Sequence, residues 1–145
     1  MKYEHLKIDN QLCFALYSAS KAIVNTYKPL LKDIGITYTQ YITLLVLWEK
    51  DNITVKELGK KLNLDSGTLT PLLKRLETKG ILERIRNPED ERNVCVKLTS
   101  KGVSLKDKAS EIPMKAFCTT GMSIDEASDL KERLNKLLKN LNEKS

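Results

Sequence analysis

Apolar residues recur at helical spacing from about Ile8 to Ile34, through Leu12, Leu16, Ala19, Ile23, Tyr27 and Leu30. The pattern predicts one long helix, bent at Pro29, with Leu12 and Leu16 as core positions. Gly35–Thr37 breaks the run. From Thr39 the segment "QYITLLVLWEK" is apolar on most sides, as a buried central helix is. Thr54 and Glu57 form a capping box that opens a short helix, Val55–Leu62. After "NLD", Asp65 caps a second helix with an inward stripe of Leu69, Leu72, Leu73 and Leu76. Pro71 falls early enough to be tolerated, and Gly80 supplies the left-handed stop.

Two alternating runs, Ile81–Arg86 and Val94–Leu98, flank a polar turn with Asn87, Pro88 and Asp90, which predicts a β-hairpin. Thr99 then caps a helix running towards Phe117 with a kink or break at Pro113. Ser123 and Glu126 repeat the capping box before a final helix bearing Leu130, Leu134, Leu137, Leu138 and Leu141. The whole reads as mainly α with a small β-hairpin wing, a winged helix-turn-helix between terminal helices. The last leucine row has little in its own chain to cover it, which points to a second subunit.

Composition adds a partner. The 145 residues carry a net +6, concentrated between Lys56 and Lys101, where eleven Lys/Arg stand against seven Asp/Glu. That middle segment is the polyanion-facing part of the chain. Small polar groups at a recognition helix's start reach base edges, as Ser66, Thr68 and Thr70 are placed to do, while Lys74 and Arg75 follow for phosphates or a guanine edge. Arg84 and Arg86 lie on the first wing strand. Arg92 stands at the tip for a narrow minor groove, with Asp90 two residues earlier to steer it.

Other classes recede. No run of 18 apolar residues exists and the N-terminus is polar, so neither a membrane span nor a signal core is expected and the protein is placed in the cytoplasm. Three cysteines and one histidine give no metal-site spacing, so neither metal nor cofactor is expected.

"DSGTLTPLLKRLETKGILER" followed by "RNPEDERNVCVKLTSKG" resembles the winged helix-turn-helix of the MarR family of bacterial regulators, including its D-x-R wing signature at Asp90–Arg92. The resemblance implies a single domain over residues 1–145, with dimerisation helices in 1–36 and 102–145 and the DNA-binding region in 37–101. It further implies a homodimer, usually a repressor, on a pseudo-palindromic operator of double-stranded DNA.

Within that family, "NQLCFALYSAS", "YKPLL" and "ITYTQY" resemble the organic-hydroperoxide-sensing OhrR branch. That likeness makes Cys13 the reactive thiol and Tyr27 and Tyr38 its phenolic partners, with Tyr17 and Tyr41 close by. It also matches Cys118 to the resolving cysteine of two-cysteine members, implying a disulfide to the other subunit; capping of Cys13 by a low-molecular-weight thiol is the alternative. The residues agree: with Asn10 as N-cap, Cys13 lies in a first turn whose unpaired amides favour thiolate, although Asp9 opposes this. Cys95 is read as structural. A regulator released by a small anionic or aromatic ligand, with Cys13 in the core, is the main rival. A thiol peroxidase fits less well because no Arg or His flanks Cys13.

Overall fold

A computed structural model of the chain describes residues 2–143, the side chains of Glu91 and Arg92 excepted. Its first long helix, α1 (Leu12–Lys32), begins later than the periodicity predicts, because residues 8–10 form a 3-10 turn. The N-cap is Gln11, not Asn10. Asn10 is turned away from the helix, donating its side-chain amide to the Glu4 carbonyl at 2.7 Å. Leu12 is 70% exposed and Leu16 half-buried, so within the chain neither belongs to the core expected of them. Only Leu31, near the far end, is fully buried in this helix.

The centre is α2 (Tyr38–Glu49), which buries Tyr41, Leu44 and Leu47. It starts ahead of Thr39 because Thr37 is the cap: its Oγ1 accepts the Gln40 amide at 3.3 Å, and Gln40 Oε1 accepts the Thr37 amide at 3.1 Å. Gln40 and Thr43 are buried polar side chains, and both are satisfied, Thr43 by donating to the Thr39 carbonyl at 2.8 Å.

The short strand β1 (Ile53–Thr54) leads into α3 (Val55–Leu62), capped as expected by Thr54, and α4 (Ser66–Thr78), capped by Asp65. Asn63 makes the turn between the two helices in a left-handed conformation. Gly80, also left-handed, ends α4: the Ile81 amide bonds the Leu76 carbonyl and the Gly80 amide that of Glu77, which satisfies the last free carbonyls.

Strands β2 (Leu82–Asn87) and β3 (Asp90–Leu98) form the expected hairpin, with an irregularity at Arg86–Asn87. β1 adds a third strand on the other side of β3, a pairing of two residues too short to leave an alternating pattern.

The segment from Thr99 to Phe117 is two helices, α5 (Ser100–Ala109) and α6 (Ile112–Cys118), with Pro113 in the first turn of the second. The last helix, α7 (Ile124–Glu143), opens on the Ser123–Glu126 capping box and buries no residue within the chain. Leu130, Leu134, Leu138 and Leu141 remain exposed, as do Leu12, Phe14 and Ile23 on α1.

Where α4 hands over to the wing, α5 approaches closely. Thr99 Oγ1 sits 2.6 Å from the Gly80 carbonyl, Trp48 Nε1 donates to the Gly102 carbonyl at 2.9 Å, and a methyl group on Gly102 would overlap the Ile81 carbonyl oxygen. Gly102→Ala should therefore destabilise the protein by about 1–3 kcal/mol. A fall in thermal midpoint at fixed protein concentration is the expected result; an unchanged midpoint would show that the junction yields freely.

Candidate nucleic-acid interface and thiol site

The helix-turn-helix consists of α3 and α4. Asp65 Oδ1 accepts the Thr68 amide at 2.8 Å, and the Thr68 hydroxyl and amide together hold the Asp65 carboxyl below the usual carboxylate range. Ser66, Thr68, Thr70, Lys74 and Arg75 are all exposed, while the leucine stripe of the same helix is buried. The polar set of α4 is therefore free to meet a polyanion.

On the wing, pairing of Leu82 with Leu98, Arg84 with Val96 and Arg86 with Val94 puts these six side chains on one face of the sheet. Leu82, Val96 and Leu98 on it are buried, so this face looks inward near its base and opens towards the tip. Arg86 is exposed, whereas Arg84 is captured by α4: its Nη2 donates to Glu77 Oε1 at 3.0 Å and its amide to Glu77 Oε2 at 3.2 Å. The Arg84 Nε is buried with no hydrogen-bond partner, so this guanidinium is committed to the joint between α4 and the wing. Asp90 opens β3; the side chain of Arg92 lies outside the described residues.

Cys13 is exposed in the first turn of α1. Tyr27 lies fourteen residues further along the same helix, about 21 Å of axial rise, so the two do not meet within one chain. What does come together is a cluster of phenols: ring centroids of Tyr27 and Tyr38 are 4.8 Å apart, Tyr27 and Tyr41 5.6 Å, and Tyr38 and Tyr41 6.3 Å. Burial, reinforced by Tyr38, pushes the Tyr27 phenol up, and burial followed by its two neighbours does the same to Tyr41. These two groups stay protonated and able to donate. Tyr17 faces solvent instead, with the Lys21 ammonium 5.1 Å from its ring centre.

Beside Tyr38 opens a cavity of about 720 Å³ lined by Val24, Lys28, Leu31, Lys32 and Ile36. Cys118 is exposed at the end of α6, next to Phe117, which lines a smaller cavity with Ile23 and Tyr27. Cys13 precedes Ile23 by about 15 Å of helix. Both thiols are free within the chain. Cys95 is half-buried on β3, paired with Thr54 and Ile85, on the face opposite Val96. Among the described residues no cluster of three metal-binding side chains occurs, and no helix is long and apolar enough to cross a membrane.

A family model described as the transcriptional regulator SarA/Rot matches residues 25–109. The organic hydroperoxide resistance transcriptional regulator of Bacillus subtilis is 47% identical over 144 residues, 99% of this chain and 98% of that protein. The chain belongs to the MarR family of transcriptional regulators. It falls with that family's redox-sensing members. The structure of reduced AbfR bound to DNA, a Staphylococcus epidermidis protein, is 39% identical and covers 97% of this chain and 99% of that one with a TM-score of 0.79. Disulfide-formed AbfR, 36% identical over 95% of this chain and 97% of that one, matches with a TM-score of 0.65. Overoxidised AbfR bound to DNA matches with a TM-score of 0.78, so the fold described here is nearer to that relative's DNA-bound forms than to its disulfide form.

In this MarR-family chain the residue that sequence reasoning passed over is Glu77. The signal was present: Arg84 shares strand parity with Leu82, an apolar position, and so faces α4.

Arg84, through its side-chain hydrogen bond first, holds the Glu77 carboxyl below the ordinary carboxylate range. A depressed folded value means that the pair's stabilisation is complete above that range and is lost as pH falls through the lowered value. Wild type should therefore exceed Glu77→Gln in stability at neutral pH, with the gap closing in acid. Urea unfolding across a pH series checks this; a gap constant down to strong acid would rule the pair out as its source.

Proposed function

We propose that this regulator binds a pseudo-palindromic operator as a homodimer and releases it when an organic hydroperoxide oxidises Cys13. The observation that carries this reading is the separation just described. An exposed thiol stands at one end of α1 and a cluster of phenols at the other, so that a second subunit is what can bring them together.

The exposed apolar residues supply the means. Leu12 and Phe14 flank Cys13, and the cavity beside Tyr38 has room for such a turn from the partner. Helices in 1–36 and 102–145 pair the subunits, burying the leucines of α7 at about 1.5–3 kcal/mol for each one fully covered. Region 37–101 then reaches the DNA, with the two recognition helices addressing half-sites about 34–36 Å apart. Ser66, Thr68 and Thr70 face base edges, Lys74 and Arg75 phosphate or guanine, and Arg86 the backbone, while Arg92, steered by Asp90, enters the minor groove. Arg84 acts indirectly, by holding the wing on α4 through Glu77.

Oxidation proceeds in balanced steps. The Cys13 thiolate attacks the terminal oxygen of the hydroperoxide; an S–O bond forms, the O–O bond breaks, and the alkoxide takes a proton and leaves as the alcohol. The sulfur, oxidised by two electrons to sulfenic acid, no longer accepts from the phenols as a thiolate does. Cys118 of the partner subunit then displaces water from the sulfenic acid to form an S–S bond, or a low-molecular-weight thiol does so in its place. Loss of a few contacts suffices, because a tenfold change in affinity is about 1.4 kcal/mol.

A second reading draws support from the same cavity. Lys28 and Lys32 line an otherwise largely apolar space, a combination that suits a small organic anion, in which case the ligand and not the thiol would release the DNA.

The deciding measurement is affinity for a duplex selected by the reduced protein, before and after organic hydroperoxide. Wild type should weaken about tenfold or more and Cys13→Ser should not; release of the variant by hydroperoxide would sink the thiol reading. A non-reducing gel of the oxidised wild type separates a band of doubled mass, absent in Cys118→Ser, from a chain capped by a small thiol. Arg92→Ala should weaken binding by about 1–3 kcal/mol with unchanged circular dichroism, and full affinity would remove Arg92 from the interface.

A further inference from the structure

At the end of α4 the side chain of Lys79 leaves the helix and crosses to the junction between α1 and α2. Its Nζ donates to the Gly35 carbonyl at 2.8 Å and to Gln40 Oε1 at 2.9 Å. The same Gln40 oxygen accepts the Thr37 amide at 3.1 Å, and the residue is 2% exposed. One buried acceptor therefore holds both the first turn of α2 and the residue that caps the end of the recognition helix. On the other side, the Lys79 carbonyl accepts Lys101 Nζ from α5 at 2.8 Å.

That first turn carries the phenol cluster. Tyr38 stands between the two halves of the capping box, Thr37 and Gln40, and Tyr41 follows directly after Gln40. Any displacement of that turn would carry Gln40 Oε1, the acceptor of Lys79, with it. The strap is short: one side chain links the phenols' own helical turn to the end of α4.

Energetically the strap is modest. Lys79 is itself exposed, so its bonds contribute little to global stability. Leu69, Leu72, Leu73 and Leu76 hold α4 in the core without it. Coupling between sites requires contacts that differ between two states, not contacts that are strong in both.

We infer that Lys79, through Gln40 and the Gly35 carbonyl, is the positioning residue that carries the state of the thiol–phenol site to the recognition helix. The inference rests on the redox reading proposed above. With the first turn of α2 in place the ammonium finds both acceptors and fixes the end of α4; once that turn shifts, Gln40 Oε1 moves away, the Gly35 carbonyl alone remains, and the hold on α4 from this side loosens.

The test uses the full-length protein, wild type, Lys79→Met and Lys79→Arg, on the selected duplex, reduced and after organic hydroperoxide, with Cys13 oxidation verified by mass. Reduced Lys79→Met should bind within about fivefold of wild type. Its loss of affinity on oxidation should shrink by about fivefold or more relative to wild type, and Lys79→Arg, which keeps a charged donor, should restore the response. An equal weakening of Lys79→Met in both states would mark Lys79 as a simple brace or phosphate contact and overturn the inference, as would an unaltered oxidative response. If wild type itself fails to respond, the thiol reading falls and the strap's role with it, an outcome distinct from failure of the lysine variants alone.

Discussion

The burial of α2 is the constraint on which the other elements depend. It packs against α1, α3, α4 and α5, because Gln40, Tyr41, Thr43, Leu44 and Leu47 spread buried side chains around most of its circumference and leave a narrow strip with Leu45 and Glu49 to solvent. A helix enclosed in this way cannot tilt without moving several neighbours, since packed interiors deform by discrete rearrangement and not by gradual yielding. Its buried polar side chains lie towards the N-terminal end, where Gln40 pairs with the cap Thr37 and Thr43 donates to the Thr39 carbonyl. The same end holds the phenols.

Much of this was legible in the sequence. Thr54, Asp65, Thr99 and Ser123 cap the helices expected of them, because capping is a local interaction spelled out within four residues. The leucine stripe of α4 and the stop at Gly80 were legible for the same reason. The start of α1 was not: Asn10 looks like a cap, but its side chain bonds to Glu4, six residues earlier, in a 3-10 segment without periodicity. Strand β1 is too short to alternate, and the break before Pro113 falls where a kink would have looked much the same.

The candidate site divides along the same line. Residues on α4 and the wing could be assigned by position, since an amphipathic helix and a paired strand declare their outward faces. Arg84 shows the limit. Two arginines two residues apart on one strand share a face, yet one meets Glu77 and the other solvent, a difference set by how far α4 extends beneath the wing. Cys13, Tyr27 and Tyr38 could be named only through resemblance to a family, because spacing along a helix places the thiol far from the phenols and gives no hint of a second chain. Lys79 and Gln40 carried no motif at all.

The uncovered face of α7 has a consequence for the cell. A helix that buries none of its residues within its own chain draws its tertiary support from association, and association obeys mass action. Abundance and folding are then not independent quantities for this regulator. When copy number falls, the fraction of chains that are paired and whole falls with it, so occupancy of a promoter declines more steeply than the number of molecules made.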